Sequence, residues 1–180
     1  MGAGHSGRAV IFLGHGASGN ADSMKPYVAG LARRGVDAQS VPAMGKLPTR
    51  AEKAMQVFRE LAADHPGCIV GGHSYGGRVA SMVAAEGTVG GLVLFSYPLH
   101  RPGRPEELRV AHWPSIKCPV LLLSGESDPF ARIDLLRASV GKLASAELMT
   151  YPGVGHGFAR HAAGFNDALD RVAAFAQRVG

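Results

Sequence analysis

The sequence predicts an α/β fold of about six mainly parallel strands in one sheet, with helices on both faces. Three observations predict it. Short apolar runs of strand length alternate with longer runs of helical period from the first residues to the last, which is the pattern successive βαβ units leave in a chain. The run Cys68-Ile69-Val70 is apolar at every position, as in strands covered on both faces. A length of 180 residues, 46% hydrophobic and 18% charged, suits one well-formed core better than two, so residues 1–180 are expected to form a single domain.

In chain order, strands are expected at residues 9–13, 38–41, 68–71, 91–95, 120–123 and 146–150. The first helix, about residues 23–34, sets Met24, Tyr27, Val28 and Leu31 on one face, accommodates Pro26 in its first turn and stops at Gly35. The second follows Pro48 through a Thr49-x-x-Glu52 capping box and places Ala51, Ala54, Met55, Phe58, Leu61 and Ala62 at helical spacing. A helix with Val79, Ala80, Met82, Val83 and Ala84 has the small residues that permit close packing on a sheet, and the last helix carries Ala168, Leu169, Val172, Ala173, Phe175, Ala176 and Val179 as its apolar stripe. No repeat, low-complexity tract or linker interrupts the alternation.

Composition narrows the function classes. No apolar run approaches the length that spans a bilayer, and residues 1–10 lack the basic and apolar segments of a signal peptide. A soluble, cytoplasmic protein with no membrane partner is expected. Met1-Gly2-x-x-x-Ser6 outlines a myristoylation signal, but the match is too short to carry weight. The net charge of +5 is scattered, with Arg33-Arg34 at a helix end where cations are favourable, so no nucleic-acid partner is expected. Cys68 and Cys118 each begin an apolar strand and read as buried free thiols. No His, Cys and Asp grouping has zinc-ligand spacing, and neither a metal nor an organic cofactor is expected.

Ligands of such sheets bind beyond the carboxyl ends of the strands, and the residues there carry chemistry. Gly72-His73-Ser74-Tyr75-Gly76 turns an apolar strand directly into a helix. A Gly-x-Ser-x-Gly turn of this kind holds its serine on a strained elbow and keeps side chains out of the bend. Asp128 follows the fifth strand in Ser124-Gly125-Glu126-Ser127-Asp128-Pro129-Phe130, and His156 follows the sixth in Tyr151-Pro152-Gly153-Val154-Gly155-His156-Gly157-Phe158. Each has a bland reading, as a turn residue before proline and as a loop histidine among glycines. Together with Ser74 they supply nucleophile, base and orienting acid at the ends of three strands. The loop Gly14-His15-Gly16-Ala17-Ser18-Gly19 after the first strand fits an oxyanion hole, with the amides of Ala17 and Tyr75 as its donors.

The same loop also spells Gly14-x-Gly16-x-x-Gly19, with Asp37 near the place of a ribose-binding acid. A dinucleotide-binding reading follows, but it leaves Ser74, Asp128 and His156 without a role. His15, His73 and Tyr97 are expected to line the substrate pocket, whereas His5, His65, His112 and His161 are expected on solvated loops or helix ends. Arg101, Arg104 and Arg109 fall on a rim whose charge Glu106 and Glu107 dilute. A solvated loop is expected there, the alternative being attraction of an anionic substrate.

On these motifs the chain resembles the α/β-hydrolase superfamily from Ala9 to Val179. The resemblance implies a minimal α/β-hydrolase fold, with Gly14 to Gly19 as oxyanion loop, Ser74 in the nucleophile elbow, Asp128 as triad acid and His156 as triad base. Ser96-Tyr97-Pro98-Leu99-His100-x-Pro102 looks like a small hydrolase-like family that also includes a subunit of a chromatin acetyltransferase complex. Tyr151 to Phe158 is similar to dienelactone hydrolases, whose nucleophile is cysteine where this chain has Ser74. The excursion from Tyr97 to Lys117, where larger relatives insert a lid, is too short for a helical cap. A nearly lidless serine hydrolase acting on a small carboxylic ester or thioester is therefore expected, with a small-molecule acyl substrate as its partner. The alternative from another class is a non-catalytic hydrolase-like scaffold that binds a protein partner, which the sequence itself does not indicate.

Overall fold

A computed structural model describes residues 9–42, 44 and 51–180. Among them, six strands form one parallel sheet in the order β2-β1-β3-β4-β5-β6. These are β1 (Ile11–Gly14), β2 (Ala38–Ser40), β3 (Ile69–His73), β4 (Gly91–Phe95), β5 (Val120–Gly125) and β6 (Ala146–Tyr151). The helices are α1 (Lys25–Ala32), α2 (Ala51–Asp64), α3 (Tyr75–Ala84), α4 (Ile133–Val140) and α5 (Ala162–Val179). All six expected strands form. Four of them, β1, β3, β5 and β6, run one or two residues further at their carboxyl ends than the apolar runs suggest, because backbone pairing continues into the glycines and polar residues that lead to the site.

Alternation along the strands divides the core into two layers. Phe12, Val70, Leu92, Leu94 and Leu122 face α2, α3 and α4, while Ile11, Leu13, Ile69, Val93, Phe95, Leu121 and Leu123 face α1 and α5. The amphipathic helices supply the matching stripes. Met55, Phe58 and Ala62 of α2 are buried in the first layer, and Leu169, Val172 and Phe175 of α5 in the second. Val179 is only partly buried. Helix α1 starts at Lys25 rather than Ser23, since Ala21–Met24 is a 3₁₀ turn capped by Asn20. The expected capping residue Thr49, with Pro48, lies outside the described residues, as do His5 and the segment from Met1 to Ser6. Glu52 instead joins Glu86 on the guanidinium of Arg59, tying α2 to the end of α3.

The strand order matters most for function. The chain leaves β1 toward β2 on one side and returns to β3 on the other, so the carboxyl ends of β1 and β3 form the topological switch point where open sheets bind ligands. Gly14 pairs directly with Gly72 there. The excursion after β4 folds down onto the first layer, burying Leu99, Trp113 and Ile116, and its helical content is the three-residue turn Trp113–Ser115. Both cysteines are free, but only Cys68 is fully buried, and Cys118 is half-covered. Burial pushes both thiols up to about 11. Among the described residues no helix is long and apolar enough to cross a membrane.

Candidate active site

The elbow is built by close backbone approach. A Cβ at Gly72 or Gly76 would overlap the backbone of Gly14, so the turn can pass beneath the β1 loop only with glycine at both places. Ser74 between them has φ 52° and ψ −115°, a conformation that non-glycine residues rarely adopt. Its amide is held by the Phe95 carbonyl at 2.9 Å, and its own carbonyl accepts the Arg78 amide at 3.0 Å. The side chain is thereby aimed off the sheet end.

Three loops converge on it. Ser74 Oγ lies 2.8 Å from His156 Nε2, and His156 Nδ1 lies 2.8 Å from Asp128 Oδ2. A carboxylate only accepts, so Nδ1 carries the proton and Nε2 is left to receive one from the hydroxyl. The other Asp128 oxygen accepts the Phe130 amide at 2.8 Å. The Asp128 side chain is wholly buried, whereas that of His156 is 22% exposed, which leaves the imidazole reachable from the cleft. The amides of Ala17 and Tyr75 donate to no acceptor among the described residues, and both residues line the cleft beside Ser74.

Two clefts meet at Ser74, with Phe130 in the wall of each. One, of about 370 Å³, runs along α3 past Tyr75, Val79 and Met82. The other, of about 600 Å³, runs past Gly16, Ser18, Tyr27, His73 and His156. The Phe130 ring lies 4.3 Å from that of His156, centroid to centroid. Among the described residues no group of three or more His, Cys, Asp or Glu side chains is placed to hold a metal.

The profile of the alpha/beta hydrolase domain matches residues 7–179. This chain belongs to the α/β-hydrolase family. The fold is also shared with solved hydrolases at low identity. A monoacylglycerol lipase from Paleococcus ferrophilus superposes with a TM-score of 0.79 at 14% identity, over 96% of this chain and 95% of that one. One of two metagenome-derived lipolytic enzymes, LipS and LipT, gives 0.75 at 17%, over 95% and 94%. Est1E from Butyrivibrio proteoclasticus, solved with ferulic acid bound, gives 0.73 at 16%, over 95% and 89%.

Within this α/β-hydrolase framework, several sequence expectations need correction. Tyr97 does not line the pocket: it is 1% exposed, packs on Trp113, and donates its hydroxyl to the Arg109 carbonyl at 2.6 Å. His15 is likewise buried. Its Nδ1–H donates to the Gly16 carbonyl at 2.8 Å and its Nε2 accepts the Met44 amide at 3.4 Å, so it braces the β1 loop. His73 does reach the second cleft, but its Nε2–H is spent on the His156 carbonyl at 2.8 Å. Burial lowers the pKa of His73, opposed in part by the hydrogen bond to the His156 carbonyl.

His112 is not a solvated loop histidine, since it is half-buried and lies 2.7 Å from Ser81 Oγ, anchoring the excursion to α3. His65 and His161 are exposed at helix ends, His161 accepting the Gly164 amide at 3.1 Å. Asp37 sits before β2, at the opposite end of the sheet from the Gly14 loop. It cannot meet a ribose held by that loop, which removes the dinucleotide reading. Sequence reasoning missed His100, whose burial only the packed excursion creates, and Arg78, which the elbow motif itself places one turn beyond the serine.

Proposed function

We propose that the chain is a serine hydrolase that cleaves a small carboxylic ester or thioester through an acyl-enzyme on Ser74. The observation that carries this reading is the unbroken hydrogen-bonded line from Asp128 through His156 to Ser74 Oγ, with both imidazole contacts at 2.8 Å. As Oγ attacks the acyl carbon, His156 Nε2 takes its proton, and Asp128 stabilises the imidazolium. The amides of Ala17 and Tyr75 receive the developing oxyanion. His156 then returns the proton to the departing alkoxide or thiolate. Water, deprotonated by the same imidazole, attacks the acyl-enzyme, releases the acid and restores Ser74. No metal or organic cofactor enters this scheme, and the partner is a small acyl molecule rather than nucleic acid or membrane.

The lipolytic enzymes among the similar folds support ester chemistry. The open clefts and the absence of a helical cap among the described residues support short acyl substrates over long-chain triglycerides. Intact-protein mass after a fluorophosphonate probe tests the reading. The wild-type protein should take one adduct that Ser74→Ala loses, and turnover of a short-chain 4-nitrophenyl ester should fall by about 10⁴-fold or more in that variant. Folded wild-type protein that takes no adduct, or a Ser74→Ala variant that keeps its turnover, overturns it in favour of the interaction scaffold.

A further inference from the structure

The cleft along α3 gathers three arginines, of which Arg109 feels a nearby acid, Glu107. Arg78 of α3 lines it together with Arg101 and Arg109 from the excursion after β4. Among the described residues no carboxylate pairs with any of the three. Arg101, Arg104, Glu106 and Glu107 are exposed, in keeping with the expected solvated loop, whereas Arg109 is half-buried; Glu107 is held by Arg104 at 2.6 Å.

Polar groups in the wall are also left open. Arg78 Nε and the Tyr75 hydroxyl are buried with no hydrogen-bond partner, and Arg109 has one N–H on the Pro98 carbonyl at 3.5 Å. Burial and the neighbouring Arg78 and Arg101 hold the pKa of Arg109 below its usual value. Gathered like charges and unmet buried donors both cost stability. An anion in the cleft would relieve the repulsion among the arginines.

The reacting groups settle which half of the substrate reaches these arginines. His156 lines the second cleft and not this one. A leaving group has to lie beside His156 Nε2 to be protonated, so it occupies the second cleft and the acyl group takes the arginine cleft. Val79 and Met82 flank the path of an apolar chain.

We infer that the acyl group ends in a carboxylate received by Arg78, Arg101 and Arg109, making the substrate class a monoester or monothioester of a small dicarboxylic acid. The inference rests on Ser74 being the nucleophile.

The matched pair 4-nitrophenyl hydrogen adipate and its methyl ester presents one acyl length with and without the charge. At low salt kcat/KM should favour the charged ester by about tenfold or more, shrinking as salt is added. The ratio should fall toward one in Arg78→Met and Arg109→Met, and also in Arg101→Met, whose exposed side chain makes misfolding no explanation. Calorimetric binding of free adipate to Ser74→Ala supplies a readout independent of turnover. Equal rates on both esters while Ser74 is still labelled overturn the inference and leave the hydrolase standing. Adipate bound through the arginines by a protein that takes no fluorophosphonate adduct retains the anion site and overturns the hydrolase. A charge preference shown instead for 4-acetoxybenzoate over its methyl ester overturns the assignment of the anion to the acyl side.

Discussion

At the scale of single residues, the elbow sets a conflict between stability and chemistry at Ser74. Its φ of 52° is a place where a side chain costs about 1–3 kcal/mol and glycine little. Ser74→Ala keeps the Cβ and so keeps the strain. Ser74→Gly removes it, at the expense of a more flexible unfolded chain. The glycine variant is therefore expected to exceed the alanine variant in stability by about 1 kcal/mol while lacking nucleophilic function. Urea unfolding of the two decides it, and a glycine variant no more stable than the alanine one contradicts the strain. The neighbouring glycines are constrained in the opposite sense, since Gly72 and Gly76 leave no room for a Cβ against Gly14.

Between elements, the loop carrying Asp128 is held from outside. His100, 3% exposed, donates Nδ1–H to the Arg101 carbonyl at 2.8 Å and accepts the Arg132 amide on Nε2 at 3.0 Å, while its own amide reaches the Phe130 carbonyl at 3.0 Å. The excursion after β4 is thus latched to the β5–α4 connection at Phe130 and Arg132, on either side of Ala131. His100→Ala leaves the Arg132 amide without a partner, which costs about 1–3 kcal/mol when it stays buried, whereas the Arg101 carbonyl keeps the Arg104 amide at 3.0 Å. It should also lower kcat more than it raises KM, because the Asp128 carboxylate that orients His156 loses its setting. Steady-state kinetics beside urea melts test this positioning role. A loss of stability with kcat intact would reduce His100 to a structural clamp.

For the whole molecule, acid sensitivity is set by histidines kept neutral inside it. Burial lowers the pKa of His73, and burial with the nearby charge of Arg78 lowers that of His112, both from an ordinary 6.5. The unfolded chain takes up these protons at a higher pH than the folded one. Stability from them is therefore complete above 6.5 and declines as pH falls through that value toward the lower folded values. The carboxylates act later. Arg59 lowers the pKa of Glu86 from 4.5, and Arg171 with Tyr151 lowers that of Asp167 from 3.8, so their contribution is lost only further into acid. Tm should fall between about pH 7 and about pH 5, and the combined His73→Gln and His112→Gln variant should flatten that decline. A wild-type Tm constant over this window would contradict the account.

Much of this was legible along the chain because it is local. Apolar runs of strand length mark β1, β3, β4 and β5, the Gly72 to Gly76 spacing marks the elbow, and Ser74, Asp128 and His156 stand just past strand ends where a parallel sheet gathers its loops. Boundaries drifted where pairing, rather than hydrophobicity, extends a strand, as at Gly14 and His73. Tyr97 and His15 look like pocket residues in sequence because each adjoins a functional loop, yet Tyr97 is tied to the excursion at Arg109 and His15 to the Met44 amide, and both are buried. The sequence by itself determined the fold class, the parallel strands and the identity of the Ser, His and Asp trio, since periodicity and turn chemistry depend on near neighbours. Only the tertiary structure decided that β1 lies beside β3, that two clefts meet at Ser74, and that Arg78 shares one with Arg101 and Arg109. Those depend on contacts between residues far apart in the chain, and no local pattern encodes them.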